Sequence, residues 1–369
     1  MSMWTRLRAL VLKELLVVLR DPRTRLILIV PPILQLFVFS FAATLEVKNV
    51  DLVLLNRDPG RASQELVRRI QGSPTFRRIV LVEDPAALRM QIDAQRVLAG
   101  IQIGPTFSRD LSAGRPADVQ ILLDGRRSNA SQIVSGYLTQ IINDLAAESA
   151  GPHRRPRAEV VPRNWFNPNL EYTWFVVPGL IALIAMFVGL IVTGLSVARE
   201  RELGTFDQLM VSPLRSREIL IGKVIPPLLI GLSHVTVYIL VALLFFRIPL
   251  RGSLLLLYGS AVLYLAAVVG VGLFISSLCA TQQQAILGSF LFIAPATLLS
   301  GFATPIENMP DWLQPLTLID PLRYFLVITR GVFLKGLPAG EVARNALPLL
   351  AIAIVTQSAA AWLFRRRME

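Results

Sequence analysis

The stretch ARERELGTFDQLMVSPLRSREILIGK, which runs from Ala198 to Lys223, separates two apolar runs that are each long enough to cross a bilayer. Because so many ionised side chains are costly in hydrocarbon, this stretch must leave the membrane. Leu203, Phe206 and Met210 recur in it at helical spacing, and Pro213 cannot continue a helix. The pattern predicts a short amphipathic helix on the membrane face. Periodicity alone is equally compatible with a solvated connector that lies on lipid headgroups.

The composition is that of a membrane protein. Hydrophobic residues make up 53% of the 369 residues and charged residues only 17%, and the mean hydropathy is +0.56. Soluble domains carry about 25% charged residues, so the excess apolar surface must face lipid. The length leaves room for a helical bundle and one further domain of roughly 100 to 150 residues.

Six apolar runs reach the length of about 20 residues that crosses the hydrocarbon core. In chain order they are Leu26 to Leu45, Tyr172 to Ala198, Ile219 to Phe246, Ser253 to Leu278, Ala285 to Thr304 and Ala346 to Phe364. Two of them contain a proline pair, Pro31-Pro32 and Pro226-Pro227. Neighbouring helices can satisfy the backbone groups that a proline frees, so we predict kinks at these pairs and no chain break.

Lysine and arginine collect on one side of the six predicted spans. They precede the first span (Arg6, Arg8, Lys13, Arg20, Arg23, Arg25), occupy the loop after the second (Arg199, Arg201, Arg215, Arg217, Lys223) and follow the last (Arg365, Arg366, Arg367). Both termini and this loop are therefore predicted to be cytoplasmic. The long insertion also carries arginines, but translocated domains of that length are largely exempt from the charge rule. The predicted fold is a polytopic α-helical protein of a bacterial cytoplasmic (inner) membrane, with six transmembrane helices and an inserted extracytoplasmic α/β domain.

Within an N-terminal segment of residues 1–25, Met3 to Arg20 are predicted to form an interfacial helix that leads into the first span, residues 26–45. Arg6, Lys13 and Arg20 repeat every seven residues and form a basic stripe. The opposite arc consists of Trp4, Leu7, Val11, Leu15 and Val18. Glu14 interrupts that arc, which predicts a specific partner for its carboxylate. A secretory signal peptide is the alternative for this end, but Lys13 and Glu14 would interrupt its apolar region.

Residues 46–171 have the composition of a soluble domain. Short apolar runs alternate there with helical patterns: the runs are Val53 to Leu55, Ile79 to Val82, Leu98 to Ile103, Val119 to Leu123 and Glu159 to Val161, and the helices are Ala62 to Gln71, Pro85 to Gln95 and Asn129 to Glu148. This alternation predicts a small α/β unit with a mixed sheet.

Residues 305–340 are too rich in charges and prolines for a seventh span. Pro310, Asp320, Pro321, Arg323 and Arg330 all fall in this stretch. We predict two short helices that enter the outer leaflet and return, and a surface loop with one or two buried aromatic side chains is the alternative.

Cysteine and histidine are too sparse for a disulfide framework or a metal site. Cys279 is the single cysteine, and His153 and His234 are separated by a predicted span. His234 lies within an apolar run, where an ionisable side chain is a candidate proton or substrate group and a possible intramembrane polar site. The alternative is a neutral ring that is bonded to a neighbouring helix.

The sequence shows no motif for ATP hydrolysis. Gly222-Lys223 is followed by Val224, without the preceding glycine of a phosphate-binding loop or the hydroxyl that Mg²⁺ needs. We therefore predict that this chain is no enzyme and binds no cofactor. The net charge of +12 could suggest nucleic acid, but much of it lies beside membrane segments and no ordered basic DNA-binding motif occurs. Topology and lipid contact explain the charge better, and no nucleic-acid partner is predicted.

The charged stretch resembles the cytoplasmic coupling loop of type 2 ATP-binding-cassette exporter permeases, whose pattern runs roughly R-E-x-G-T-x-x-x-L-x-x-x-P and then E-x-x-x-G-K. Those positions here are Arg201, Glu202, Gly204, Thr205, Leu209, Pro213, Glu218, Gly222 and Lys223. Three further segments match the family in order: Lys13, Glu14, Arg20, Asp21 and Pro22; then Asn167-Pro168 and Pro178-Gly179; then Ser300 to Gly336. The resemblance thus covers nearly the whole chain.

The resemblance implies the transmembrane permease subunit of an ATP-driven exporter, in the long form that carries a large domain between its first two membrane helices. A separate ATPase subunit would hold ATP and Mg²⁺ and would push on the helix around Glu202 to Met210. The residues that the resemblance assigns to this coupling are Arg199, Glu200, Arg201, Glu202, Gly204, Thr205, Phe206, Leu209 and Pro213, within a coupling segment of residues 199–218. Lys13, Glu14, Arg20 and Asp21 are assigned to the interfacial helix.

Further expected partners are a second permease copy or a paralogue, membrane lipids and, as an open alternative, a periplasmic adaptor protein. The substrate is expected to be hydrophobic or amphipathic, because the predicted spans offer no cluster of charge for a polar solute. Two other classes remain open from the residues alone. One is a proton-coupled efflux carrier, for which His234 is the single candidate group. The other is a membrane sensor or structural protein with an outer-face domain.

Overall fold

The computed structural model describes residues 3–41, 49–124, 128–149, 167, 171–205 and 214–366. The chain divides into two compact units. The helical unit comprises Met1–Ala43 together with Asn164–Glu369, and the α/β unit comprises Thr44–Arg163. Phe206, Leu209 and Pro213 lie outside the described residues, as does the predicted run from Glu159 to Val161.

Strands and helices alternate within the α/β unit, and the described elements of the helical unit are all helices. In chain order they are α1 (Met3–Arg20), α2 (Pro22–Phe41), β1 (Val50–Asn56), α3 (Arg61–Gly72), β2 (Phe76–Leu81), α4 (Pro85–Asp93), β3 (Ala99–Ile103), α5 (Phe107–Ser112), β4 (Val119–Leu123), α6 (Ser128–Ser149), α7 (Tyr172–Glu202), α8 (Ser216–Leu244), α9 (Leu254–Leu278), α10 (Gln282–Leu299), α11 (Pro321–Arg330) and α12 (Ala339–Arg366). Short 3-10 helices at Ile306–Asn308 and Gln314–Ile319 precede α11, and a π-helical turn at Gly331–Lys335 follows it.

Within the described residues, five helices are long and apolar enough to cross a membrane. The candidate segments are Thr24–Phe41, Tyr172–Glu202, Ser216–Leu244, Leu254–Leu278 and Ala339–Arg366. The fifth predicted span, Ala285 to Thr304, overlaps α10, which ends at Leu299, has 18 residues and begins with three glutamines. These polar residues lower the mean hydropathy of the helix, so α10 is not among the five. The protein is a mostly helical polytopic membrane protein.

α7 is the central helix of the helical unit. In its most apolar window 89% of the residues are buried, against 28% for the windows of α2 and α12. A helix that is apolar on all sides is expected in the middle of a bundle. Small residues let neighbours approach it closely: a Cβ added to Gly189 would lie 3.0 Å from Val268, and one added to Gly194 would lie 3.0 Å from the Ser289 hydroxyl.

The predicted interfacial helix, Met3 to Arg20, coincides with α1. Several other predicted boundaries are wrong. The first span, predicted to begin at Leu26, belongs to a helix that starts at Pro22. α7 continues four residues past Ala198 to Glu202, and α8 already begins at Ser216, so the two ends of the predicted coupling segment belong to long helices. A membrane helix can continue beyond the hydrocarbon into water, so its ends can include charged residues that the apolar run does not contain. Residues 305–340 form four short helical segments and the first residues of α12, where we expected two short helices.

The proline pairs do not interrupt their helices. Pro31 and Pro32 lie inside α2, and Pro226 and Pro227 lie inside α8. The predicted absence of chain breaks at these pairs is confirmed.

The α/β unit contains the mixed sheet that the alternating pattern predicts. The strand order is β2-β1-β3-β4, in which β1 is parallel to β2 and β3, and β4 is antiparallel to β3. One face of the sheet packs with α3, α5 and α6 through Leu66, Phe107 and Leu138. The opposite face packs with α4 through Leu88 and Val53. The sequence pattern did not predict α5, whose six residues are too few for a helical period to be recognised.

We expect the α/β unit to fold on its own, because it encloses one apolar core on each face of its sheet. A fragment from Lys48 to Arg163 should be soluble and should show a single cooperative thermal transition by circular dichroism. Leu52→Ala, at a fully buried position, is expected to lower its free energy of unfolding by about 2–5 kcal/mol. A soluble fragment without a cooperative transition would contradict this prediction.

Candidate functional site

Four charged side chains from three helices of the helical unit meet in one cluster. Lys13 and Glu14 come from α1, Glu200 from the end of α7 and Lys223 from α8, and we call these four residues the ion cluster. Lys13 Nζ lies 2.8 Å from Glu200 Oε1 and 3.5 Å from Glu14 Oε1. Lys223 Nζ lies 2.8 Å from Glu200 Oε2 and 3.3 Å from Glu14 Oε1. The hydroxyl of Ser196 accepts a further hydrogen bond from Lys223 at 3.2 Å.

Burial makes the ion cluster energetically sensitive. The Lys223 side chain is fully buried, and Glu14 and Glu200 are 7% and 6% exposed. A buried charge is tolerated only where opposite charges and hydrogen bonds replace its hydration, so each member depends on the others. Burial by itself lowers the pKa of Lys13, but the hydrogen bond and charge of Glu200, together with Glu14, outweigh that effect and hold the pKa above its ordinary value.

The sequence pattern predicted a specific partner for the Glu14 carboxylate, and the partner is Lys223. The predicted apolar arc of α1 is only partly correct, because the residues that α1 buries are Leu10, Glu14 and Val18, at intervals of four. Trp4 is 74% exposed. The face of α1 that packs on the protein is therefore rotated from the arc that the sequence predicted.

Gly222 lets α1 lie directly against α8. A Cβ built on Gly222 would lie 2.2 Å from Leu10 Cδ2 and 2.7 Å from Leu10 Cγ, far inside van der Waals contact. Lys13 and Glu14 follow Leu10 on α1, and Lys223 follows Gly222 on α8. The close approach at glycine thus brings the charged groups of the two helices within reach of each other.

Arg199 joins α7 to the junction of α1 and α2. Its Nη2 donates to Asp21 Oδ2 at 2.6 Å and to the Thr24 hydroxyl at 2.7 Å, and its Nε donates to Gln282 Oε1 at 3.3 Å. Asp21 also accepts from the backbone N–H of Thr24 at 3.2 Å and therefore caps α2, which begins with Pro22. The sequence Asp21-Pro22 is the expected start of a helix, and Arg199 attaches that start to α7.

Arg201 and Glu202 bind the ends of two other helices. Arg201 Nη1 donates to the carbonyls of Ser277 and Cys279 at 2.8 and 3.2 Å, where α9 ends. Glu202 Oε2 accepts from the backbone N–H of Gln282 at 2.8 Å, where α10 begins. A cation at a helix C-terminus and an anion at a helix N-terminus are the favourable arrangement.

Gly204 ends α7. Its φ of +69° lies in the left-handed region, and no atom would lie within 4 Å of a Cβ added there. Thr205 N donates to Glu200 O at 2.9 Å and Gly204 N donates to Arg201 O at 3.1 Å, which is the hydrogen-bond pattern of a Schellman C-cap. This backbone conformation favours glycine.

Among the described residues, nine of those that the sequence assigns to function lie at one end of α7, and two lie apart. The nine are Lys13, Glu14, Asp21, Arg199, Glu200, Arg201, Glu202, Gly204 and Thr205. Arg20 is exposed at the end of α1. His234 lies in α8, with Nδ1 2.9 Å from the carbonyl of Ile230 and Nε2 3.1 Å from the carbonyl of Leu28. The ring thus connects α8 to the backbone of α2.

Sequence reasoning missed Lys223 and Ser196 as members of the site. Lys223 follows four residues after Ile219, where the predicted third span begins, and a charge inside an apolar run requires a partner. That signal was visible in the sequence. Ser196 carried no signal, because a hydroxyl in an apolar helix usually bonds its own backbone.

A second cation, which is half-buried, lies at the opposite end of α7. The Arg330 guanidinium is 3.9 Å from the centre of the Phe175 ring, and its Nε and Nη2 have no hydrogen-bond partner among the described residues. A Cβ on Gly179 would lie 3.2 Å from Arg330 Nη2. The aromatic ring supplies the electrostatic compensation that a carboxylate supplies elsewhere.

Residues 22–362 match the family that is described as "ABC-2 family transporter protein". The "Probable multidrug ABC transporter permease YbhR" of Escherichia coli (strain K12) is 46% identical over 367 residues, which cover 99% of this chain and 100% of that protein. The "Probable multidrug ABC transporter permease YbhS" of the same organism is 32% identical over 95% of this chain and 94% of that protein. The "Inner membrane transport permease YhhJ" is 31% identical over 59% of each chain.

Proposed function

This chain belongs to the ABC-2 transporter family, and we propose that its ion cluster carries the movement of a separate ATPase subunit to the membrane helices. The chain is the permease subunit of an ATP-binding-cassette exporter and has no ATPase site of its own. Membership of this family argues against the two alternatives that the residues left open, a proton-coupled carrier and a membrane sensor or structural protein. ATP and Mg²⁺ would be held by the partner subunit alone.

One observation supports the coupling role of the ion cluster. Its members come from α1, from the last turn of α7 and from the second turn of α8, and the coupling segment connects the last two. A force on this segment would act on α7 and α8 together, and Lys13 and Glu14 would pass it to α1. Coupling requires such an element whose arrangement both sites can bias. The Schellman cap at Gly204 would keep the start of the segment in a fixed direction.

We further propose that both termini and the coupling segment lie in the cytoplasm and that the α/β unit lies on the outer face. α10 would cross the membrane as well and bring the number of spans to six. The basic residues that flank the first, second and last spans support this orientation. A second permease copy or a paralogue would complete the pathway, and a periplasmic adaptor is a candidate partner of the α/β unit. The substrate would be hydrophobic or amphipathic, as the word "multidrug" in the names of two relatives also suggests.

The proposed orientation predicts opposite labelling of two exposed positions. In a Cys279→Ser background, Met90→Cys in the α/β unit should react with a membrane-impermeant maleimide on cells whose outer membrane has been permeabilised. Arg217→Cys at the start of α8 should react only after the inner membrane is also opened. Met90 is 65% exposed and Arg217 is exposed, so access is not limited by burial. Labelling of both positions from the same side would contradict the orientation.

Substitutions at the end of α7 test the coupling role. Glu202→Ala removes an exposed cap of α10 and should cost about 0.3–1 kcal/mol of stability, whereas substrate-stimulated ATP hydrolysis and transport should fall severalfold. Gly204→Leu places a branched side chain at positive φ, at a cost of about 1–2 kcal/mol, and should reorient the coupling segment. Gly204→Asn tolerates this conformation and serves as the matched control.

Each variant must first be shown to insert and to copurify with the ATPase subunit. If Glu202→Ala and Gly204→Leu both transport at the parental rate, the segment is only a connector. If the parent chain copurifies with no ATPase subunit, the proposal that the ion cluster transmits the movement of such a subunit is contradicted.

A further inference from the structure

The helical unit contains a cavity of about 480 Å³ beside the ion cluster. Its walls are formed by Val17 and Val18 of α1, Val192 and Leu195 of α7, and Pro226 and Pro227 of α8. Small-molecule sites commonly occupy about 300–1,000 Å³ and are lined mostly by apolar side chains with a few polar groups. The cavity has both properties, and the ion cluster with Arg199 provides its polar end.

The charges at the polar end of the cavity neutralise one another. Lys13, Arg199, Glu14 and Glu200 line this end, and contacts with Lys223 and Asp21, which do not line it, balance three cations against three anions. A ligand in the cavity therefore meets no unpaired charge. Such a site favours apolar bulk and is expected to discriminate little between a cationic and an anionic molecule, because the paired charges leave no net charge of either sign.

The walls of the cavity include both described ends of the coupling segment. Leu203 and Thr205 line it just after α7 ends, and Leu214 lines it just before α8 begins. A molecule in the cavity would thus touch the coupling segment, the ion cluster and α1 together. A molecule in the cavity would restrict the relative movement of these elements. It would therefore bind one arrangement of them more tightly than another, and this difference in affinity is what shifts a conformational equilibrium.

We infer that this cavity binds the apolar body of an amphipathic molecule at the cytoplasmic ends of the membrane helices, and that its occupancy is sensed by the coupling segment. The inference rests on the proposed function, because it identifies the cavity as the place where an exporter of apolar molecules would register its substrate. The bound molecule carries its polar group toward Lys13, which is 47% exposed at the edge of the cluster. Either a membrane lipid or a free amphiphile supplies this chemistry.

The test uses two ions of matched shape and opposite charge, tetraphenylphosphonium and tetraphenylborate. The permease is reconstituted with its ATPase in nanodiscs of phosphatidylethanolamine and phosphatidylglycerol, and binding of radiolabelled tetraphenylphosphonium is measured and corrected with protein-free nanodiscs. Because the two ions precipitate together, binding of radiolabelled tetraphenylborate is measured in separate samples with the same correction. Saturable binding of each ion is expected, with affinities within about tenfold of each other.

Two neighbouring substitutions on α1 provide the variant and its control. Val17→Trp fills the cavity and should weaken the binding of both ions by about tenfold or more. Leu16→Trp adds the same side chain at a position that is 44% exposed and outside the cavity, and it should bind both ions as the parent does. Leu195→Phe fills the cavity from α7 and replaces Val17→Trp if that variant does not insert.

The source of the ligand is distinguished by mass spectrometry under native conditions. One phospholipid retained by the parent and by Leu16→Trp, and absent from the filled variants, would identify a membrane lipid as the occupant. Saturable binding of the two ions to a parent chain that retains no phospholipid would identify a free amphiphile as the occupant. Parental binding of both ions and unchanged lipid retention in the filled variants would overturn the inference, and so would a strong preference for one charge. Binding is also measured without the ATPase, so that failure of assembly is not mistaken for loss of the site.

Discussion

Replacing Lys223 by methionine is expected to destabilise the helical unit by about 3–5 kcal/mol. The side chain is fully buried between Glu14 and Glu200, so its removal leaves Lys13 to neutralise both carboxylates. Methionine has a similar length and fills the space, which isolates the loss of charge from the loss of volume. Thermal unfolding of the purified chain in detergent, followed by intrinsic fluorescence, measures the change.

Two further variants separate charge pairing from other causes. Lys223→Met combined with Glu14→Gln restores the balance of charge, because Lys13 and Glu200 remain as a pair, and it should recover much of the lost stability. Arg217→Met removes an exposed cation six residues earlier on the same helix and should change stability by less than about 0.5 kcal/mol. If Lys223→Met unfolds at the parental temperature, the ion cluster does not stabilise the helical unit.

Gly222→Leu is expected to displace α1 from α8. A Cβ at this position would already lie 2.2 Å from Leu10 Cδ2, and a larger side chain cannot be placed without moving one helix. Overpacking of this kind costs about 1–3 kcal/mol, and the displacement would also separate Lys13 and Glu14 from their partners. Hydrogen exchange of the amides in Met3–Arg20 should become faster, because α1 would lose its packed face.

Exchanging the large and small residues across the contact provides the matching test. Gly222→Leu with Leu10→Ala places the leucine on α8 and the space on α1, and it should restore slow exchange in α1. Gly259→Ala adds a methyl group in α9 where no atom would lie within 4 Å of it, and it should leave α1 unaffected. Slow exchange in α1 of the single variant Gly222→Leu would show that the helix docks by contacts other than this one.

The long apolar helices were predictable because they depend on local composition. The runs that begin at Tyr172 and Ser253 coincide closely with α7 and α9, since hydropathy and length alone decide whether a segment can enter hydrocarbon. The strands β2 and β4 were predicted from the alternation in the same way. The predicted span Ala285 to Thr304 extends past the end of α10 at Leu299, because hydropathy does not show where a helix is capped. The helix as a whole is less apolar than that span, because its first turn consists of glutamines.

The sequence by itself determined that this chain is a polytopic membrane protein, that it resembles an exporter permease and that the Glu14 carboxylate needs a partner. The partner could not be read from the sequence, because Glu14 and Lys223 are 209 residues apart and no local pattern connects them. The tertiary structure decided that Gly222 packs on Leu10, that Arg199 holds the start of α2, and that a cavity remains beside the ion cluster. Hydrophobic periodicity is a property of neighbouring residues, whereas the pairing of buried charges depends on which helices the packing brings together.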